Sequence, residues 1–363
     1  MKVYLRSYGC QANIADSEAI AGILKQNNYE LTDNEDGADI IIVNTCSVKN
    51  ATQNKELHYI KEKSKSKKIF VGGCLTKTIN IRKYAPDVTA VFDTNSILKI
   101  PEVLETEQDY FSNKKENRIS APIIRSEKGI GIIAIGEGCL NSCTFCGTKL
   151  ARGNLRSYRI GDIKRNMERA VKEGCNTIYL SSQDNGCYGF DIKTNLPELL
   201  NELVMIEGNY KIRIGMMNPW HLAKILPELI NSFKSEKIMK FLHIPVQSGS
   251  EKILKHMKRV HTVESYRLAV KEFRKKFPKV SIATDIIIGY PEETEEDFQL
   301  TYDLIKETKP EVLNISKFSS RPGTKASKLK QLPSEIIKER SVRLNSLYQE
   351  YKKGITQNKI LIT

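Results

Sequence analysis

The 363-residue sequence contains one tryptophan and five histidines, and it has no long hydrophobic run. Its apolar stretches, such as Asp39–Val43 and Ile286–Ile288, are far shorter than the ~20 residues that a membrane-spanning helix needs. The opening residues, MKVYLRSYGC, place no apolar segment behind a basic start, so the sequence predicts no secretory signal. We therefore expect a cytoplasmic protein without a membrane segment.

Several motifs of nucleotide and metal chemistry are missing as well. The five histidines form no HExxH pattern, there is no Walker phosphate loop, and the glycines of IAIGEGC lack the GxGxxG spacing. These patterns are the usual marks of zinc proteases, P-loop NTPases and dinucleotide-binding enzymes. Their absence argues against hydrolases with a catalytic triad or zinc and against P-loop NTPases.

Acidic residues are outnumbered by basic ones. The chain has 43 Asp and Glu against 57 Lys and Arg, for a formal net charge of +14. Such an excess favours a polyanionic partner, above all a nucleic acid. Cations are grouped at Lys61–Lys68, Lys258–Arg259 and Arg274–Lys276, which are the candidate phosphate contacts. The alternative is a lysine-rich composition on solvated helix faces.

The first third of the chain alternates apolar and amphipathic segments. Strands are predicted at Val3–Ser7, Ile40–Asn44 and Ile69–Gly72, with helices at Ile14–Gln26 and Gln53–Lys63. A strand–helix repeat predicts a parallel sheet. We expect an α/β domain over residues 1–104 and a polar linker over 105–126.

The alternation then resumes on a larger scale. Strands are predicted at Gly131–Ile135, Thr177–Ser181, Lys211–Met216, Phe241–Pro245, Ser281–Ile288 and Val312–Phe318. Helices are predicted between them, at Ile160–Glu173, Leu196–Met205, Leu222–Phe233, Val263–Phe277 and Thr294–Thr308. Six such units predict a partial (β/α)6 barrel over residues 127–330. Residues 331–363 are predicted to form a charged helix, Ser334–Tyr351, and then the start of a strand at NKILIT.

Three of the eight cysteines lie within eight residues of each other, in EGCLNSCTFCGTK. The Cys139-x3-Cys143-x2-Cys146 spacing provides three thiolates on one loop, which can hold three irons of a 4Fe-4S cluster and leave the fourth iron open. A structural zinc site would need another pair of ligands. The loop follows the first predicted barrel strand, at the end where barrel enzymes carry their chemistry.

Three further cysteines, Cys10, Cys46 and Cys74, each follow a predicted strand of the first domain. The carboxyl ends of parallel strands share one edge of a sheet, so we expect these cysteines to converge and favour a second 4Fe-4S cluster. The alternative is three buried cysteines without a ligand role. Cys175 precedes its strand and is predicted to pack in the core. Cys187 lies in a loop near the active face, where an ordinary loop cysteine is the simpler interpretation.

The cysteine loop, with Phe145 before its last cysteine, resembles the radical S-adenosylmethionine (SAM) signature. The resemblance implies that the open iron chelates SAM, and that one-electron reduction cleaves it to a 5′-deoxyadenosyl radical. The two cysteine sets in this order resemble the methylthiotransferase family, as do YGCQANIADSE, NTCSVKNAT, FLHIPVQSGS, TDIIIGYPEETEEDF and KFSSRPGTKA.

GMMNPWHL and FLHIPVQSGSEKILKHMKR look most similar to the archaeal and eukaryotic branch of that family. This branch implies a tRNA methylthiotransferase that acts on N6-threonylcarbamoyladenosine next to the anticodon. Sulfur is inserted at C2, whose C–H bond is unactivated and needs a radical, and SAM-dependent methylation follows. The second cluster would hold the sulfur. The alternatives are isopentenyladenosine in tRNA, an aspartate of a ribosomal protein, or a non-catalytic iron–sulfur RNA-binding protein.

The resemblance also implies partners and further site residues. The expected partners are the tRNA anticodon stem-loop and an electron donor of flavodoxin or ferredoxin type, and a monomer is expected. The family usually ends in a small RNA-binding TRAM domain, which this sequence is expected to lack. Residues that follow the barrel strands are candidates for binding SAM, with turn or helix-cap roles as the alternative: Phe145, Gln183, Asn218, Gln247, Ser248 and Gly249.

Four other residues of the predicted barrel carry side chains that bind or catalyse in many proteins. Trp220, Tyr188 and Tyr290 lie in the loops of the active face and are either base-stacking residues or packing residues. His243 lies in a strand and is predicted to be a core histidine.

Overall fold

The computed structural model describes residues 1–47 and 50–353, and of residues 50 and 51 only the backbone. Val48 and Lys49 of NTCSVKNAT and the strand predicted at NKILIT therefore lie outside the described residues. Within these ranges, no helix is both long and apolar enough to cross a membrane.

The first part of the chain is a five-stranded parallel sheet in the order β2-β1-β3-β4-β5. Its strands are β1 (Lys2–Ser7), β2 (Glu30–Leu31), β3 (Ile40–Thr45), β4 (Lys68–Gly73) and β5 (Ala90–Val91). The helices are α1 (Gln11–Gln26), α2 (Asn50–Lys63) and α3 (Ile100–Thr106). The three strands and two helices predicted here are confirmed to within three residues at each end.

The central strand β3 shows why this sheet forms. All six of its residues are buried, as expected for a parallel strand covered on both faces. Ile40 and Ile42 belong to the apolar cluster on one face, and Ile41 and Val43 to the cluster on the other. The two-residue period of a strand thus fills both layers around the sheet.

The second part of the chain contains six parallel barrel strands: β6 (Ile130–Ala134), β9 (Thr177–Ser181), β10 (Lys211–Ile214), β11 (Phe241–His243), β12 (Ser281–Ile288) and β13 (Val312–Lys317). Two short strands, β7 (Gly136–Glu137) and β8 (Arg156–Ser157), pair antiparallel at the rim. The helices are α4 (Gly147–Arg152), α5 (Ile160–Lys172), α6 (Leu196–Leu203), α7 (Pro219–Ser232), α8 (Glu251–His256), α9 (Val263–Lys276), α10 (Glu295–Thr308) and α11 (Ser334–Lys352).

The six strands run in chain order around an open barrel. Hydrogen bonds join β6, β9 and β10 into one sheet and β11, β12 and β13 into another. The two sheets meet at a bridge between Ile212 and Ile238 and at the bond from Met217 N to His243 O, 2.9 Å. The predicted fold class, a parallel α/β sheet followed by a partial (β/α)6 barrel, is confirmed.

The segment between the two parts is packed rather than free. Ile119 lies in the apolar core of the barrel, and Ala121 lies in a core cluster of the first sheet. Helix α3 extends two residues past position 104, where the sequence places the end of the first domain. The predicted boundaries at 104, 126 and 330 stay predictions.

Gly22 of α1 allows the closest contact between this helix and the segment. A Cβ atom at position 22 would lie 2.1 Å from the carbonyl oxygen of Pro122. Gly161, in the first turn of α5, is a helical glycine without this restriction, because its Cβ would meet only the end of Arg165, at 3.7 Å.

These two glycines predict opposite responses to the same substitution. Gly22→Ala should lower the free energy of unfolding by about 1–3 kcal/mol, because the added methyl group overpacks a backbone contact. Gly161→Ala should be neutral or stabilising by up to about 1 kcal/mol, since alanine has the higher helix propensity. Urea unfolding of both variants measures the difference, and equal effects would show that α1 does not press on the segment.

Candidate active site

The carboxyl ends of the barrel strands open onto a cavity of about 620 Å³. Its wall includes Cys10, from the first sheet, and the three cysteines of the barrel loop, Cys139, Cys143 and Cys146. One cysteine of the first set and all of the second therefore face the same space.

Glycines let the loops of the first sheet approach each other at its carboxyl edge. Gly9 has a φ angle of +107°, and a Cβ atom there would lie 2.6 Å from Sγ of Cys46. Gly73 has a φ angle of +95°, and its Cβ would lie 2.4 Å from the carbonyl oxygen of Thr45. These positions favour glycine, and they bring the backbones before Cys10 and Cys74 against the strand end at Cys46.

Asn13, in the first turn of α1, contacts all three of these loops. Its amide Nδ2 donates to the carbonyl oxygens of Tyr8, at 2.9 Å, and of Thr45, at 2.7 Å. Its Oδ1 lies 3.5 Å from Sγ of Cys74. The side chain is fully buried, so these hydrogen bonds form away from water and hold the loops together.

Two arginines from the barrel lie beside the first cysteine set. Nε of Arg152 donates to Sγ of Cys74 at 3.2 Å. Burial raises the pKa of Cys74, and the cation of Arg152 opposes that rise. Arg321 is 8% exposed, and burial lowers its pKa while the charge of Cys46 raises it. These cations offset negative charge on the thiolates, so the donor set suits a thiolate-bound cluster.

Glu56 of α2 is buried next to the same edge. Its carboxyl oxygens accept from the backbone N–H of Cys46 at 3.1 and 3.2 Å. Burial raises the pKa of Glu56 to about 8, against the opposing effect of this hydrogen bond. The carboxyl is therefore protonated at neutral pH and adds no negative charge beside the cysteine.

In the barrel loop each cysteine sulfur has a nearby donor. Sγ of Cys139 lies 3.3 Å from the backbone N of Asn141, and Sγ of Cys146 lies 3.4 Å from the backbone N of Lys149. Sγ of Cys143 lies 3.8 Å from a guanidinium nitrogen of Arg259. Such donors stabilise thiolates, which are the form that binds iron.

The thiols of this loop differ in acidity. A hydrogen bond with Cys187 lowers the pKa of Cys139, against the opposing effect of burial. Burial raises the pKa of Cys143, with Arg259 opposing, and it raises the pKa of Cys146 to about 11. Cys139 is thus the most readily ionised of the three.

Asp184, in the loop after β9, organises the wall beside Cys139. Its Oδ1 accepts from the backbone N of Gly186 and of Asn218, each at 3.0 Å. Its Oδ2 accepts from Nδ2 of Asn141 at 3.1 Å and pairs with Nδ1 of His221 at 2.8 Å. No sequence pattern indicates this buried His–Asp pair, because its members are 37 positions apart.

Cys187 and Asp184 also place ligand atoms within 4.8 Å of Sγ of Cys139, as a mononuclear metal site requires. Both oxygens of Asp184 already accept two hydrogen bonds each, so we assign this trio a structural role. Cys187 is buried, and its Sγ lies 3.2 Å from the carbonyl oxygen of Asp184. Cys187 also hydrogen-bonds Cys139. It therefore contacts the cysteine loop of the barrel, whereas the simpler interpretation of the sequence was a loop cysteine without such a contact. Cys175 lies in the barrel core, as predicted.

Four of the predicted SAM-binding residues line the cavity: Phe145, Gln183, Asn218 and Gln247. Gln183 accepts from the backbone N of Gly138, one residue before Cys139. Asn218 also caps α7, because its Oδ1 accepts from the backbone N of Trp220 at 3.1 Å. Gln247 has a φ angle of +73° and is hydrogen-bonded through its backbone to β12.

The structure places Ser248 and Gly249 outside the cavity wall. The hydroxyl of Ser248 lies 3.3 Å from that of Thr301, and the backbone N of Gly249 donates to the same hydroxyl at 2.9 Å. These contacts attach the loop to α10. They favour a turn role for both residues, which was the alternative to binding SAM. Tyr188 and Tyr290 are at most 1% exposed, so they pack rather than stack on a base. Trp220 is 36% exposed and lies under Lys224.

His243 does not lie in the core, and the prediction for it was wrong. It lines the cavity, and its Nε2 lies 3.1 Å from both carboxylate oxygens of Asp285. Burial raises the pKa of Asp285, but the interactions with His243, Asn314 and Arg259 together outweigh burial and hold that pKa below its usual value. The side chain was misassigned because a short strand gives no signal for which of its residues face the lumen.

The predicted phosphate contacts are mostly occupied by contacts within the chain. In Lys61–Lys68, three lysines pair with acidic side chains, and Nζ of Lys67 lies 2.7 Å from the carbonyl oxygen of Asp36. Arg274 pairs with Glu311 at 2.9 Å. The exposed pairs hold their lysines weakly. Among the described residues, the cavity wall has one carboxylate, Asp184, and four cations, Lys149, Arg152, Arg213 and Arg259, of which Arg152 already pairs with Asp16.

Comparisons with known proteins agree with this architecture. A family model described as the Radical SAM superfamily matches residues 133–305, and one described as uncharacterized protein family UPF0004 matches residues 2–93. A solved structure of the radical S-adenosylmethionine methyltransferase TsrM from Kitasatospora setae has a TM-score of 0.65 at 14% identity, covering 90% of this chain and 76% of that one. This likeness shows a shared fold.

Relatives of known name cover nearly the whole chain. A Pyrococcus horikoshii protein named probable threonylcarbamoyladenosine tRNA methylthiotransferase is 42% identical over 380 residues, which cover 100% of this chain and 88% of the relative. The Homo sapiens threonylcarbamoyladenosine tRNA methylthiotransferase is 38% identical over 364 residues, which cover 96% of this chain and 63% of the relative.

His261, behind the cavity wall at Gln247, should make the free energy of unfolding depend on pH in the acid range. Burial lowers its pKa from 6.5 to about 3, and Nε2 lies 3.2 Å from the carbonyl oxygen of Val246. Below pH 6.5 the unfolded chain binds a proton that the folded chain does not, so the free energy of unfolding falls as the pH drops from about 6.5 towards 3. Each unit of pKa difference is worth about 1.4 kcal/mol.

His261→Gln removes the titrating group and should flatten this loss of stability, as measured by urea unfolding at pH 5 and pH 7.5. The control is His58→Gln, because His58 is exposed and its loss should leave the pH dependence unchanged. An unchanged slope in His261→Gln would contradict the assignment.

Proposed function

Because this chain belongs to the threonylcarbamoyladenosine tRNA methylthiotransferase family of radical SAM enzymes, we propose that it converts N6-threonylcarbamoyladenosine next to the tRNA anticodon to its 2-methylthio derivative. The reaction replaces the hydrogen at C2 of the adenine with sulfur, and methylation of that sulfur completes the group. The observation that carries the proposal is the single cavity that both cysteine sets adjoin.

We propose that Cys139, Cys143 and Cys146 hold one 4Fe-4S cluster, the radical site, and that Cys10, Cys46 and Cys74 hold a second, the auxiliary site. When bound, these clusters and SAM supply the radical, the sulfur and the methyl group that the reaction needs. The donors at each barrel sulfur and the two arginines beside the first set support this assignment.

The protein's own residues position the reactants. Phe145, Gln183, Asn218 and Gln247 are the proposed contacts for SAM, since each lines the cavity. Asp184 joins the cysteine loop, through Asn141, to the start of α7, through Asn218 and His221. A wall set by buried hydrogen bonds keeps the reacting groups in place.

The charge of the cavity supports an anionic substrate. In the part of the chain that the structure describes, Lys149, Arg213 and Arg259 line the cavity with Asp184 as the one carboxylate, and these three cations suit the phosphates of an anticodon stem-loop and the carboxylate of the threonyl group. An isopentenyl group offers no such carboxylate. The electron donor is proposed to be a flavodoxin or a ferredoxin, and the chain is proposed to act as a monomer in the cytoplasm.

Replacing cysteines should separate the two halves of the chemistry. Anaerobically reconstituted protein should bind about eight irons. Replacing Cys139, Cys143 and Cys146 with Ala should remove about half of the iron and all cleavage of SAM. Cys46→Ala should lose the auxiliary iron and the methylthio product but keep the formation of 5′-deoxyadenosine, which liquid chromatography measures.

Cys175→Ala is the matched control, because Cys175 is also a buried cysteine, 3% exposed, but lies in the barrel core. It should keep both the iron content and the product. Full product from Cys46→Ala, or iron near four in the unmutated chain, would refute the auxiliary site.

The identity of the nucleoside is tested by comparing tRNAs that differ only in that modification. Transcripts carrying threonylcarbamoyladenosine, isopentenyladenosine or unmodified adenosine are incubated with the reconstituted protein, SAM and a reductant. Mass spectrometry of the nucleosides should find a methylthio group only on the first. A product on isopentenyladenosine alone would redirect the proposal to that substrate. A methylthio group found only on ribosomal protein, supplied in a parallel reaction, would overturn it.

A further inference from the structure

We infer that Arg152 is a positioning residue of the auxiliary site. Arg152 links this site to the radical site and favours the reduced state of a cluster bound by Cys10, Cys46 and Cys74. This inference rests on the proposed function, because it concerns the cluster on Cys10, Cys46 and Cys74. It assigns a role to a residue outside both cysteine sets.

Arg152 reaches the auxiliary site from the other half of the chain. It ends α4, and its side chain is 2% exposed. Its Nε donates to Sγ of Cys74 at 3.2 Å, while a terminal nitrogen donates to Oδ1 of Asn13 at 2.8 Å and also contacts Asp16. The guanidinium thus bonds one cysteine of the set and the residue that holds all three loops.

The same helix begins at the radical site. Cys146 is the N-cap of α4, and its sulfur accepts from the backbone N of Lys149 at 3.4 Å. Arg152 follows Cys146 by six positions, a rise of roughly 9 Å in an α-helix. One short helix therefore carries a cysteine of the radical site at its start and a donor to the auxiliary site at its end.

The charges around Arg152 are balanced without the cysteine. Asp16 lies between Arg152 and Arg118, and Arg118 pairs with Glu137 at 2.7 Å. These four side chains are at most 10% exposed. Two carboxylates neutralise two guanidinium groups, so a thiolate on Cys74 adds one negative charge, which the Nε–H group of Arg152 meets directly.

A hydrogen bond from a cation to a cluster sulfur should affect the reduction potential. Reduction adds an electron and therefore negative charge, which a neighbouring cation stabilises. Arginine suits this role because it stays charged when buried and offers several donors in a fixed plane. If Arg152 served only to pair with Asp16, its removal would change stability without changing the potential.

The test measures the potential of the auxiliary cluster alone. Replacing Cys139, Cys143 and Cys146 with Ala leaves only the first cysteine set to bind a cluster in the full-length chain. In this background, redox titration followed by electron paramagnetic resonance should give a more negative midpoint potential for Arg152→Met. Arg152→Lys, which keeps the charge, should shift it less. Asp16→Asn should shift it in the positive direction, because the cation is then less neutralised.

Arg340→Met is the matched control. Arg340 is another buried arginine, with a side chain 5% exposed, and it pairs with Glu293 at 2.8 Å. It should lose stability as Arg152→Met does but leave the potential unchanged. In the chain with all its cysteines, Arg152→Met should still form 5′-deoxyadenosine and make less methylthio product.

The outcomes are distinguishable. An unchanged potential in a folded, cluster-containing Arg152→Met variant would overturn the inference and leave the proposed function standing. If Arg152→Met binds no cluster, the shift in Asp16→Asn decides: a positive shift supports the inference and no shift overturns it. If the chain with only Cys139, Cys143 and Cys146 replaced binds no cluster, the auxiliary site is refuted, and with it both proposals.

Discussion

The arrangement of this site depends on one buried carboxylate, Asp16, held between Arg118 and Arg152. Asp16 lies in α1, beside the first sheet, Arg118 in the segment that follows this part of the chain, and Arg152 in the barrel part. A buried ion pair adds little net stability but costs about 3–5 kcal/mol when one partner is lost. The ion pairs therefore restrict orientation, because all of these charges are paired only over a narrow range of placements of the sheet against the barrel.

This orientation brings together the carboxyl edges of the first parallel sheet and of the barrel. Parallel strands gather the loops after their carboxyl ends, and each half of the chain puts its cysteines there. A single sheet would leave one set facing solvent. With the two edges opposed, Cys10 and the barrel cysteines share one cavity.

The sequence alone was sufficient for the features that repeat along the chain. The strand–helix period located the six barrel strands, and the position of each cysteine just after a strand predicted an edge shared by all three. Edge strands of two residues, such as β2 and β5, have no period to detect. Ser248 and Gly249 followed a strand as the cavity residues do, yet the chain turns there towards α10. Arg152, His221 and the lumen-facing His243 depend on contacts between distant residues, which periodicity does not encode.

The packed segment between the two halves has a consequence for how the chain unfolds. Ile119 is built into the core of the barrel and Ala121 into that of the first sheet, while Arg118 between the halves pairs with both. Neither half keeps its core intact if the other melts. Heating should therefore give one cooperative transition rather than two. Cleavage within this segment would give two fragments that do not fold independently, each with part of its apolar core exposed.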